Sequence, residues 1–443
     1  MKRFARCSKG KRADARKGRE PMYLKIHRGT GQIGGNIIEV GTERTHLIFD
    51  AGANLPTLDD PNASDPIEID GLTCGEPAFD AVFISHHHND HSGLVGRILP
   101  GIPVWAGRET ARILEVISDF TGGPEGRVQN FFEGGGNCLP NHIGDITVTP
   151  IGVDHSAYDA YMFLIQADGK NVLYTGDYRA VEEVPETVQR LIGVAGKLDA
   201  LITEGTNIRS AGRGEGAHPG TLSDEAAVEE EAVKIMESTE GTVFVLCSST
   251  NEPRIQAIDA ACKRAGRTPC HDLFMTVVRG PLAERDECRH QSFVANGVDP
   301  ERSPRIHRHF VRYFGQCKLV GAASLARMPQ LQTVFVRTSM QEFLGRYLNA
   351  RGGSGHVLIY SMWEGYRATA PVQRLLQFCE ERGIQTISLH CSGHAYRNAI
   401  KGLIWGLNPK ALIPIHCDPN ARALFGQMHD NCVLLEDGER MEL

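Results

Sequence analysis

The chain has 443 residues, 41% hydrophobic and 23% charged, which is the balance of a soluble globular protein long enough for two or three domains. No apolar run approaches the ~18 residues of a membrane-spanning helix, and collagen-like, fibrous and wholly disordered chains are excluded on composition. The net charge of −7 is unevenly spread: residues 1–20 carry nine Lys and Arg against Asp14 and Glu20, so the tail is +7 and the body −14.

The basic tail has no apolar core segment and does not read as a secretory signal. It is expected to be a solvated, disordered arm, with nucleic-acid contact as the alternative. An acidic body does not grip a polyanion by bulk attraction, so any such partner must be held by a local site. The twelve cysteines are scattered with no CxxC pair, which predicts reduced thiols in a cytoplasmic protein and excludes a zinc ribbon.

From Tyr23 onward, short runs rich in Val, Ile and Phe end abruptly in polar residues. Leu47-Ile48-Phe49 leads into Asp50, and Ala81-Val82-Phe83-Ile84 into Ser85-His86. The stretch Ile146 to Ile151 alternates like a strand and presents His155 just beyond its end. Val172-Leu173-Tyr174 leads into Thr175-Gly176-Asp177, and Ala200-Leu201-Ile202 into Thr203-Glu204. A helix N-capped by Ser223 should turn Val228, Ala232, Ile235 and Met236 inward, and 373–381 reads as a second helix. Finally, Ile387-Ser388-Leu389 leads to His390, and Leu412-Ile413-Pro414-Ile415 to His416. These runs are predicted strands whose ends deliver polar groups to one edge, with Pro414 suited to an edge strand or a strand end. Mixed strands and helices predict an α/β fold. Boundaries at the loop 207–222 and near Gly383 divide the body into a domain formed by 21–205 and 386–443, with 206–385 inserted between them.

Ser85-His86-His87-His88-Asn89-Asp90-His91 packs four donors, His86, His88, Asp90 and His91, into one loop after a strand. Imidazole and carboxylate together suit Zn²⁺, and do not exclude Mn²⁺. His155, Asp177 and His416, each at or just past a strand end, bring the donors to seven. The expected division gives His86, His88 and His155 to one ion and Asp90, His91 and His416 to the other, with Asp177 bridging. Two ions ~3.5–4 Å apart polarise a phosphoryl or carbonyl oxygen and activate water at neutral pH. Asp50 is expected either to orient ligand histidines or to turn the chain before Gly52. His87 lies between ligands and is not counted as one.

Asp50, the His86-to-His91 array, His155 and Thr175-Gly176-Asp177 resemble the successive motifs of the metallo-β-lactamase fold, an αββα sandwich. Thr203-Glu204-Gly205-Thr206-Asn207, Cys247-Ser248-Ser249, Ser392-Gly393-His394-Ala395 and Pro414-Ile415-His416 resemble those of the β-CASP nucleases, in particular the ribonuclease J group. The resemblance runs from about residue 24 to the mid-420s and implies an inserted β-CASP α/β domain. It makes Glu204, His394 and His416 the three β-CASP motif residues. Gly205 departs from it, since Ser often stands there in relatives.

The resemblance implies a ribonuclease that acts with two Zn²⁺ per chain on RNA, 5′ to 3′ and with possible internal cleavage. Asp177, Glu204 and His394 are the expected catalytic residues, with His394 as general acid and Glu204 orienting its ring. Ser248, Ser249, Ser392 and the amides near Gly393 and Ala395 are expected to cradle a phosphate. His at the position of His416 favours RNA over DNA within that family. A DNA-processing nuclease, a small-molecule hydrolase of the same fold and a scaffold subunit are the alternatives.

Overall fold

The computed structural model describes residues 21–55, 67–132, 139–180, 196–208, 221–283, 290–295, 298–314, 319–320, 322–349 and 355–443. The basic tail and most of the boundary loop after Asn207 lie outside these residues. Two sheets are built largely from the apolar runs identified above. The first has the order Arg440–Glu442, Tyr23–Arg28, Ile37–Gly41, His46–Phe49, Ala81–Phe83, Val104–Gly107 and Asn130–Phe132. The second runs Ala411–Ile415, Ala200–Glu204, Lys170–Tyr174, Ala160–Ala167, Ile146–Val153 and Asn141–Ile143.

Side chains alternate across each strand with period two, and the alternation decides which layer each enters. Leu47, Phe49 and Phe83 of the first sheet meet Val148, Phe163, Tyr174, Ile202 and Ile413 of the second in one buried cluster, so the sheets are packed face to face. Their neighbours point outward. Leu164, Leu173, Leu201 and Leu412 pack on Ala399, Ile400, Leu403 and Ile404 of the helix Arg397–Leu407. Ile48, Val82 and Val104 cover the opposite face with Ala111 of the helix Arg108–Thr121. The result is the αββα sandwich. Pro414 sits on Ala411–Ile415, the edge strand of this sheet, which pairs with Ala200–Glu204 and is bridged on its outer side at Leu412–Cys432; at such an edge its missing N–H costs little.

A third sheet has the order Leu319–Val320, Gln291–Phe293, Thr268–Asp272, Gln332–Val336, Val243–Leu246, Val357–Tyr360 and Gln385–Ser388. Every pairing in it is parallel. Helices Glu225–Ser238 and Glu252–Arg264 cover one face and Gln341–Asn349 and Ala370–Glu380 the other. Burial on both faces explains why its central strands read as continuous apolar runs. In chain order this sheet falls between Ala200–Glu204 and Ala411–Ile415, which are neighbours in the second sheet.

The cap of the helix Glu225–Ser238 differs from expectation by one residue. Asp224, not Ser223, accepts the Ala227 amide at 2.8 Å, and the Ser223 hydroxyl donates to Asp224. Either residue type caps well, but the carboxylate also gains from the helix dipole. Of the four residues expected to face inward, Ile235 is only partly buried.

Candidate metal centre and cleft

The chain emerges from parallel neighbours at a common edge. His46–Phe49 runs parallel to Ala81–Phe83, which places Asp50 beside Ser85-His86. Lys170–Tyr174, Ala200–Glu204 and Ala411–Ile415 are likewise parallel, which brings Asp177, Glu204 and His416 together. Asp50 and His416 turn there with φ of 61° and 51°, left-handed conformations that cost a non-glycine residue of order 1–3 kcal/mol. Gly205 also has a packing reason. A Cβ there would lie 2.7 Å from the Phe425 ring and 3.0 Å from the Cys417 Cβ, so a serine would not fit without movement.

All seven expected donors converge. Asp177 Oδ2 is the hub, 3.1 Å from His91 Nε2, 3.6 Å from His416 Nε2 and 3.9 Å from both His86 Nε2 and His155 Nε2. On one side His155 Nε2 lies 3.1 Å from His88 Nδ1; on the other, His416 Nε2 lies 3.2 Å from Asp90 Oδ2. Donor atoms of His86, His88 and His155 lie within 4.8 Å of one another, as do those of Asp90, His91, Asp177 and His416. His87 belongs to neither group. It lines an adjoining cavity of about 490 Å³ with Ser248 and Thr250.

The far nitrogens of four rings are already held. His91 Nδ1 donates to Asp50 at 2.7 Å, and His155 Nδ1 to the Gly393 carbonyl at 2.6 Å. Ser85 donates to Asp50 and so accepts from His86 Nδ1 at 3.0 Å. Thr206 donates to the His416 carbonyl and accepts from its Nδ1 at 2.8 Å. Each bond fixes the tautomer that aims an Nε2 lone pair at the centre. Asp50 also accepts from the Ser85 amide at 2.7 Å and the Tyr174 hydroxyl at 2.5 Å.

The inner atoms are the unsatisfied ones. His86 Nε2, His91 Nε2 and both Asp177 oxygens are buried without a hydrogen-bond partner, an arrangement costly unless a cation completes it. Burial, reinforced by neighbouring rings, pushes His86 and His155 well below the usual histidine range, and burial takes His88 down to about 4. Burial opposes ionisation of Asp177, but the charges of His416, His91 and His394 hold it well below the carboxylate range. Asp90 is held down to about 2 against the same burial by its bond to His416. Against the same burial, the Asp177 and Asp50 carboxylates hold His91 well above the usual histidine range, so a cation there takes the place of its proton. Neutral His86, His88 and His155 beside ionised Asp90 and Asp177 are already in the protonation state that metal binding requires. The donor set fits divalent cations, and the protein has a metal-binding centre.

Beside it stands the pair Glu204–His394. Glu204 is buried; Oε2 receives His394 Nδ1 at 2.9 Å, and Oε1 accepts the amides of Tyr178 at 3.1 Å and Ala395 at 3.3 Å. Burial works against a charge on His394, yet the Glu204 and Asp177 carboxylates hold its pKa up at about 9. A cavity of about 340 Å³ opens over the pair and the donors, lined also by Ser248, Ser392, Gly393 and Asn207. Of the expected phosphate cradle, Ser249 is buried away from this cavity and the Ala395 amide is committed to Glu204. Ser392 Oγ accepts from Asn207 Nδ2 at 2.9 Å and the His394 amide at 3.2 Å, leaving its own proton to offer.

A buried ionic link secures the Ser392 loop. Arg179, two residues past Asp177, donates Nε to the Ser392 carbonyl at 3.1 Å and Nη2 to Glu225 at 2.9 Å. Glu225 receives Arg254 Nε at 2.6 Å, and Arg254, fully buried, reaches the Cys391 carbonyl at 3.1 Å. Glu225→Ala takes the carboxylate from fully buried Arg254 and leaves Arg179 with Asp154 at 3.5 Å, and should lower stability by roughly 3–5 kcal/mol. Urea unfolding checks this, and an unchanged midpoint would show that the link contributes nothing.

Residues 45–247 match the Beta-lactamase superfamily domain. The chain is 25% identical to Ribonuclease J of Sinorhizobium meliloti over 417 residues, covering 90% of this chain and 69% of that protein. With Ribonuclease J of Helicobacter pylori identity is 22% over 452 residues, covering 94% and 60%. With that of Mycolicibacterium smegmatis it is 24% over 456 residues, covering 92% and 74%. The chain thus spans between 60% and 74% of the length of these relatives. A crystal structure of a protein of unknown function from Enterococcus faecalis superposes with a TM-score of 0.72 at 22% identity, covering 96% of this chain and all of the other, a likeness of fold. The superfamily match, the fold and the sequence likeness agree: the chain carries a beta-lactamase superfamily domain in a metallo-β-lactamase fold and is similar to Ribonuclease J over nine-tenths of its length.

Proposed function

We propose that this protein is a zinc-dependent ribonuclease that hydrolyses RNA phosphodiester bonds from the 5′ end. The observation that carries the reading is the gathering of six donors around the seventh, Asp177, beside a Glu204–His394 pair at one cavity. His86, His88 and His155 would hold one ion and Asp90, His91 and His416 the other, with Asp177 shared; five imidazoles among seven donors favour zinc over manganese. Bound there, two divalent ions supply Lewis acidity toward the phosphoryl oxygen and make water more acidic.

The rest falls to the chain. With Nδ1 held by Glu204, His394 has Nε2 available to the cavity and protonates the 3′ oxygen as its bond to phosphorus breaks, leaving a 5′-phosphate on the downstream strand. Glu204 keeps that ring in place, and Asp50 does the same for His91. Ser392 and Ser248 offer hydroxyls to a terminal phosphate at the cavity wall. Residues 21–205 with 386–443 form the metal-binding domain in this reading, and 206–385 the inserted β-CASP domain. Among the described residues no helix is long and apolar enough to cross a membrane, and a cytoplasmic RNA is the proposed substrate.

A cradle sized for one phosphate makes the enzyme favour 5′-monophosphorylated over 5′-triphosphorylated RNA. Time courses on matched RNAs with 5′-monophosphate, 5′-triphosphate and 5′-hydroxyl ends, with a DNA control, test this. Ser392→Leu should reduce the end preference while sparing internal cleavage. Equal rates on the three RNAs would remove the phosphate pocket.

A further inference from the structure

The cavity over the metal centre has a wall that the hydrolytic groups do not use. Trp363 and Tyr366, with Met362, line it together with Ile33 and Leu55. Trp363 is 43% exposed, so it does not serve the core. The backbone that carries it is held in place. The Trp363 main-chain carbonyl accepts from the Tyr360 hydroxyl at 2.9 Å and the Tyr366 amide at 3.1 Å, which closes a tight turn after the strand Val357–Tyr360. The Trp363 and Tyr366 rings stand edge to face, 5.5 Å apart at 90°. Gly365 makes room: a Cβ there would lie 2.2 Å from the indole.

Charge gives this wall a task. Among the described residues that line the cavity, none is Lys or Arg, in a body whose net charge is strongly negative. A nucleotide strand held here gains little from ion pairing outside the metal centre. Stacking on an aromatic face supplies affinity without charge, and it tolerates every base because every base has a π-face.

We infer that Trp363, backed by Tyr366, is a stacking site for the base of a nucleotide whose phosphate lies at the metal centre. This rests on the nuclease reading above. It makes Trp363 a binding residue that sets affinity for the nucleoside part of the substrate without reading sequence.

The test is calorimetric titration of the metal-loaded protein with adenosine 5′-monophosphate and with ribose 5-phosphate, which lacks the base. The nucleotide should bind ~10-fold or more tightly than the sugar phosphate. Trp363→Leu should erase that difference while leaving ribose 5-phosphate affinity unchanged, and that unchanged affinity also reports an intact fold. Trp363→Phe should keep most of the difference. Equal affinities in the parent protein, absence of saturable nucleotide binding, or full discrimination in Trp363→Leu would each overturn the inference. RNA hydrolysis by the same preparations separates the two readings. Cleavage without base discrimination removes the stacking site alone, and discrimination without cleavage removes the nuclease reading alone.

Discussion

Asp177→Ala should lose metal and hydrolysis together. The carboxylate lies within 4 Å of donors from both halves of the centre, at 3.1 Å from His91, 3.6 Å from His416 and 3.9 Å from His86 and His155. Removing it deprives each ion of a ligand and relaxes the hold that sets their spacing. Elemental analysis should find about two equivalents of metal in the parent protein and one or fewer in the variant. The rate should fall by several kcal/mol of transition-state stabilisation, roughly 10³-fold or more. Chelation offers a second readout, because a ligand that binds only the folded state raises its stability by mass action. A chelator should lower the melting temperature of the parent and barely move that of the variant. Full metal content with unchanged affinity in Asp177→Ala would exclude a bridging role.

His394→Ala should separate chemistry from metal binding. Its Nδ1 is committed to Glu204 at 2.9 Å, and the ring stands outside the two donor groups that satisfy the ions. It nonetheless falls, with Glu204, Asp177 and His416, in a third set of closely spaced donor atoms, so metal content is the deciding measurement. The variant should keep its metal and its RNA affinity while losing about 10²–10⁴-fold in rate, the usual worth of a positioned general acid. A substrate with an activated leaving group should suffer less than RNA, because it needs less help from a proton. Metal loss would instead make His394 a ligand or a support for one.

The centre was legible because its chemistry is dense and its strands are buried. Four donors within six residues after an apolar run leave few alternatives, and strands buried on both faces advertise their ends. What escaped the sequence was the apparatus that aims those donors. Ser85, Thr206 and Tyr174 are common residue types, and Thr206 meets His416 across 210 positions. The Arg179–Glu225–Arg254 link is hidden likewise, its members 46 and 29 residues apart with no periodic relation. Direction was also unreadable within the SGHA loop. Ser392 faces the cavity while the Ala395 amide, three residues on, points to Glu204, and composition carries no record of a peptide plane. Trp363 sat in a connection that gave no periodic signal, since its exposure follows from the tight turn at Gly365 and not from any pattern of neighbours.

The order in which the donors occur along the chain bears on synthesis. Six of the seven lie between residues 86 and 177, but the seventh, His416, follows the whole of the third sheet. The strand that carries it, Ala411–Ile415, completes the edge of a sheet whose other members end by residue 204, and Arg440–Glu442 closes the first sheet against Tyr23–Arg28. Domains fold as they leave the ribosome, N-terminal parts first. A nascent chain therefore holds an incomplete second sheet and an incomplete donor set until His416 has been made. Metal loading that needs all seven donors is thereby delayed until the third sheet has been synthesised.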